Sequence, residues 1–254
     1  MIHPLLALLV HTLGPQLSFP GGTATEFILV RWLHFVAGIV WIGLLYFFNL
    51  VGLPTMKQLD AAVRAKFYPV LMSHAMAWFR FSAAITVLAG MLFFYHQLSA
   101  DAQNAGNPSL ALRWFGLWLL VWLAAYAVIY PLQLPNNGFF GNPWARTVSI
   151  AAVVVVASWV VLALNSNSQS SNAHLAISVG GGLGVLMLLN SWGVVWRVEK
   201  RLMAWPRAAD EPGTSMPTEA ERLAQWAFVA SRVSFWLSFP MLFLMGAADH
   251  YPFL

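Results

Sequence analysis

The chain has 254 residues, 59% of them hydrophobic and 9% charged, with a mean hydropathy of +0.68, a formal charge of +4 and no cysteine. Ordinary soluble domains carry roughly 25% charged residues, so a water-soluble globule is excluded. The missing cysteine excludes disulfides, thiolate metal sites, thiol nucleophiles and covalent haem attachment through CxxCH, leaving histidine or an organic group for any redox centre.

Residues 2–13, IHPLLALLVHTL, are apolar but too short to cross a bilayer, and they carry His3 and His11. They lack the basic n-region and small-residue cleavage site of a signal peptide, so segment 1–24 reads as a short interfacial helix followed by a loop. Six spanning helices are then expected, at Thr25 to Leu53, Leu71 to Leu98, Leu110 to Leu132, Thr147 to Leu164, His174 to Val198 and Arg222 to Ala248. Each carries close to the ~20 apolar residues that cross a ~30 Å hydrocarbon core, without the alternation of a barrel strand. The expected fold is all-α, a single membrane domain over 1–254 with a six-helix bundle and a solvated loop at 199–221.

Loop charge orients the bundle. Lys57, Arg64 and Lys66 lie in the first connection, Arg146 in the third, and Arg197, Lys200, Arg201 and Arg207 in the fifth. The connections around Asp101 and around NSNSQSSNA hold no Lys or Arg. The odd-numbered loops are therefore expected in the cytoplasm and both termini on the outer side. This bias accounts for the positive charge, and membrane lipids rather than nucleic acid are the expected surroundings.

Chemistry concentrates in RWLHFVAGIVWIGLL, residues 31–45. Arg31, His34, Gly38 and Trp41 are spaced by three, four and three, so all project from one helix face. Ionisable side chains at that depth are costly and point to function. His34 reads as a haem ligand, with Gly38 leaving room for a flat macrocycle and Arg31 set to pair with a propionate. The alternative is a histidine bonded to a neighbouring helix's backbone, with Arg31 reaching outward.

Among the other histidines, His96, His174 and His250 fall near the outer ends of the second, fifth and sixth helices, as candidates for a second ligand. Neutral imidazoles serve copper or zinc as well. His74 lies near the inner end of the second helix, where a further inner haem or a plain interfacial role is open. Arg80 and Arg232 read as deep in the membrane with no mid-helix carboxylate to pair with, so a propionate, anionic substrate, lipid phosphate or backbone dipole must answer their charge. Ser231, Ser234 and Ser238 share a face beside Pro240, reading as a polar crevice or a resealed kink. Gly180 to Gly182 with Gly184 permit close approach of a helix or a cofactor.

Four stretches, RWLHFVAGIVWIGLLYFFNLVGLP, AWFRFSAAITVLAG, NSWGVVW and SRVSFWLSFPMLFLMGAADHYP, resemble the membrane domain of bacterial urate hydroxylases of the PuuD type. The opening WLH, with WIG after six residues, also resembles HemJ-type protoporphyrinogen oxidases and CopD-type copper proteins. The resemblance implies haem b, one or two per chain, bound in a bacterial inner membrane, with His34 as ligand by the HemJ-type motif. It implies urate oxidation passing electrons toward the respiratory chain, and carries over Arg80 on WFR and His250 on the terminal HYP as site residues. With no CxxCH present, electrons are expected to leave through a separate cytochrome c, another redox subunit or quinone. Copper in place of haem, or a cofactor-free subunit of a larger complex, is the alternative.

Overall fold

A computed structural model describes residues 22–135, 138–166, 170–209 and 219–248; the expected interfacial helix lies outside this set up to residue 21. Helix α1 (Thr23–Tyr46) runs through a π-helical segment, Phe47–Gly52, into α2 (Leu53–Gln58). It is followed by α3 (Ala61–Asn104), α4 (Leu110–Leu132), a 3-10 turn at Gly138–Gly141 and α5 (Pro143–Asn165). Helix α6 (Asn172–Asn190) passes through a second π-helical segment, Ser191–Val195, into α7 (Trp196–Ala209), and α8 (Ala220–Ala247) completes the bundle. Six of these continuous stretches are long and apolar enough to cross a membrane. The protein is an all-α, multi-pass membrane bundle.

The expected ends hold for α4, whereas α3 exceeds its predicted span at both ends and residues 199–209, expected as loop, are helical. Hydropathy marks only the part of a helix that lies in hydrocarbon. Lys, Arg, Glu and Ala then continue the helix in water because they are good helix formers. At ~1.5 Å per residue α3 is about 66 Å long, roughly twice the hydrocarbon thickness. Its projecting end is tied to α7 by the Tyr68 hydroxyl, which donates to Glu199. Helix α8 continues through Pro240, as the expected span from Arg222 to Ala248 requires.

Helices α1, α3, α6 and α8 form a ring, with α1 along α3, α3 on α6, α6 along α8 and α8 returning to α1. Helix α4 backs α3 and α6, and α5 packs on α4 and α6 at the periphery. The α5 side chains Val148, Val155, Val156 and Trp159 are all exposed, as lipid-facing residues should be. Where α4 meets α6, the Trp122 indole lies flat on Gly182, and the Trp118 N–H donates to the Ser178 carbonyl at 2.6 Å.

At the level of the π-helical segments the ring is closed by amides and hydroxyls. Asn49 donates to Ser231 at 2.9 Å and to the Leu45 carbonyl. Asn190 accepts from Gln133 at 3.1 Å and donates to Ser234 at 3.3 Å, while Ser238 donates to Tyr46 at 3.1 Å. The serine face of α8 thus fastens it to α1 and α6 and does not line an open crevice. Interhelical hydrogen bonds in membranes contribute about 0.6 kcal/mol each. Asn190→Ala, which removes several at a buried point, is expected to cost about 1–2 kcal/mol, read as a lower unfolding temperature in detergent.

Candidate functional site

Above the polar belt the ring opens into a cavity of about 360 Å³, within the ~300–1,000 Å³ typical of ligand sites. Its walls are almost entirely apolar. Six glycines line it: Gly38 and Gly43 on α1, Gly90 on α3, and Gly180, Gly181 and Gly184 on α6. Arg31, His34 and Trp41 line it too, so the predicted face of α1 is brought together on one wall. Phe35, Ile39 and Gly43 of α1 and Leu242 of α8 are lining residues that remain exposed, so the cavity opens sideways along the α1–α8 seam.

His34 is held by α3. Its Nδ1 lies 2.7 Å from the Thr86 carbonyl oxygen, which can only accept, so Nδ1 carries the proton and donates. The neutral ring then presents the Nε2 lone pair, which has no hydrogen-bond partner among the described residues. Gly90 makes this possible. A Cβ at that position would stand 2.9 Å from His34 Cε1 and 3.1 Å from Nδ1. Gly90→Ala is accordingly expected to push the imidazole off Thr86 and to weaken any ligand held by Nε2 about 10-fold, since outer-sphere partners of metal-binding histidines have effects of that order. A binding titration on the folded variant checks it.

The remaining wall is aromatic and sulfur-bearing. Trp41 lines the cavity at 1% exposure, and its indole N–H is buried without a hydrogen-bond partner. Met91 of α3 and Met241 and Met245 of α8 supply thioethers, and Phe94 and Trp118 close the α3–α4 side. The Arg31 guanidinium lies 5.7 Å from the Phe35 ring centre.

Other predicted site residues lie elsewhere. His96 stacks on Phe27 with ring centres 3.9 Å apart and does not line the cavity. His174 is buried behind Phe94, with Nδ1 2.6 Å from the Asp101 carboxylate and Nε2 without a partner. Arg80 is also apart from the cavity, toward the end of the bundle that carries Lys57, Arg197 and Lys200, among Phe81, Trp192 and Trp196. His74 bonds within its own helix to the Val70 carbonyl. His250, like His3 and His11, lies outside the described residues. No cluster of three or more His, Asp or Glu side chains placed to hold a metal occurs among the described residues.

Thr86, Gly90 and the three methionines are cavity residues that sequence reasoning did not single out. Thr86 and Gly90 fall within AWFRFSAAITVLAG, but neither residue type signals a site by itself. The glycines of α6 divide their work: Gly182 receives Trp122, Gly180 lets α8 approach so that a Cβ there would stand 3.0 Å from Met245, and Gly180, Gly181 and Gly184 line the cavity. No protein-family model, curated protein or solved structure matches the chain.

Proposed function

We propose that this protein is a haem b-binding electron-transfer protein of the bacterial inner membrane, in which His34 would hold the haem. The observation that carries the reading is the His34 ring, oriented by Thr86 through Nδ1 and offering Nε2 to an apolar, glycine-walled cavity. Glycine walls suit a flat macrocycle, and Arg31 stands where a propionate can be met. Haem bound there supplies one-electron chemistry, and the low-dielectric walls tune its potential. Loop charge supports a cytoplasmic basic end and outer termini.

A urate-oxidising activity coupled to a separate cytochrome c, another redox subunit or quinone is the enzymatic form of this reading; it rests on the resemblance of the four stretches. Copper is the second reading, favoured by Met91, Met241 and Met245, because thioethers with one imidazole suit Cu(I). A reduced-minus-oxidised absorption spectrum with metal analysis of the purified protein separates the two. A b-type α band and iron are expected; copper without haem would replace the first reading with the second. Reduction of the bound haem by added urate then distinguishes the enzyme from a plain carrier.

A further inference from the structure

Arg80 is a deep cation that does not line the cavity. Its guanidinium carbon lies 3.9 Å from the Trp196 ring centre, 4.5 Å from that of Phe81 and 5.6 Å from that of Trp192. The Trp192 indole N–H donates to the Arg80 carbonyl at 2.9 Å, fastening the aromatic cage to the backbone that carries the charge. The guanidinium makes no hydrogen bond or ion pair among the described residues, and Nε is buried without a partner. The Glu199 carboxylate, one helical turn beyond Trp196 on α7, accepts from Tyr68 and forms no ion pair with the guanidinium.

Depth identifies what does. The Asp101–His174 pair marks the end of the bundle opposite the basic one, beside the exposed turn that follows α3. Arg80 lies about 31 Å from Asp101 along α3, and Trp196 about 33 Å from His174 along α6 and its continuation. Both distances match the ~30 Å hydrocarbon thickness, so the cage stands where lipid phosphates of the opposite leaflet begin.

A guanidinium pairs with phosphate oxygens through parallel hydrogen bonds, and ring faces that hold it beforehand reduce the freedom lost on binding. Phe81, 49% exposed, presents apolar surface beside it, and Arg197 and Lys200 extend positive charge along α7. We propose that Arg80, Trp192 and Trp196 bind the phosphate of an anionic phospholipid in the leaflet at the basic end, the cytoplasmic one under the charge rule. The site is independent of what the cavity holds.

The test titrates full-length, lipid-stripped protein in mild detergent with phosphatidylglycerol, phosphatidylcholine or inorganic phosphate, reading bound lipid by native mass spectrometry. Phosphatidylglycerol is expected to bind about tenfold tighter than phosphatidylcholine, with that preference lost in Arg80→Gln and kept in Arg201→Gln, whose charge is exposed and outside the cage. Arg80→Lys keeps a cation but not the planar fork, and is expected to bind with intermediate affinity even where the glutamine variant fails to fold. An unchanged preference in both Arg80 variants, or an equal loss in Arg201→Gln, overturns the proposal. Displacement of phosphatidylglycerol by millimolar inorganic phosphate overturns the lipid assignment in favour of a free anion.

Discussion

His34→Ala is expected to yield a folded, membrane-inserted protein that purifies with at least about tenfold less haem than the parent. Fold and cofactor separate here because the ring makes a single described hydrogen bond, to Thr86, in a wall that is partly open. Losing it costs about 1 kcal/mol, small against the packing of α1 along α3. No other described histidine lines the cavity, so the thioethers would be left as its soft donors. Haem content and the reduced spectrum give the reading, with His96→Ala and His174→Ala expected to retain haem. Imidazole added to His34→Gly should restore part of the signal, because a free ring can occupy the vacated space. An unchanged spectrum in His34→Ala would remove His34 as a ligand. His250→Ala tests in parallel the second ligand carried over from the terminal HYP.

Gly182→Ala is expected to be the most damaging single methyl that can be added to the core. A Cβ at Gly182 would fall within the Trp122 indole, and Trp122 is fully buried between α4 and α6. The ring cannot retreat into lipid without opening the α4–α6 contact. Overpacking of a dense core costs about 1–3 kcal/mol and more where rigid groups collide, so about 3 kcal/mol is expected. The variant should unfold at distinctly lower temperature in detergent and accumulate poorly. Gly43→Ala is the control: a Cβ there meets nothing within 4 Å, and stability should be unchanged while a large ligand loses space. Equal stability of the Gly182 and Gly43 variants would mean that the Trp122 packing is not as described.

Much of the bundle was legible because membrane insertion leaves strong local marks. Apolar runs of the right length gave six helices, and α4 matched its expected ends because the turn at Asn107–Ser109 and the turn after Leu132 bound it. The one-face arrangement of Arg31, His34, Gly38 and Trp41 was also legible, since a spacing of three, four and three has one meaning on an α-helix. The π-helical segments at Phe47–Gly52 and Ser191–Val195 were not. They occur beside Asn49 and Asn190, whose partners Ser231 and Ser234 stand on a helix distant in sequence. The aromatic neighbours of Arg80 were not legible for a related reason: hydropathy measures where apolar residues lie, not which rings of a distant helix come beside a charge.

The residues of α1 therefore determined that a costly histidine, an arginine and a tryptophan share one side of a spanning helix, and composition determined that this helix stands in a membrane. Periodicity acts over a few residues, so it needs no knowledge of the partner. Only the tertiary structure decided that the side faces α3, α6 and α8, that Gly90 lets His34 reach the Thr86 carbonyl, and that Arg80 belongs to a separate aromatic cage. Those outcomes depend on which helices become neighbours and at what relative height, and in lipid that is settled by close packing of small residues and a few buried hydrogen bonds spread across the whole chain.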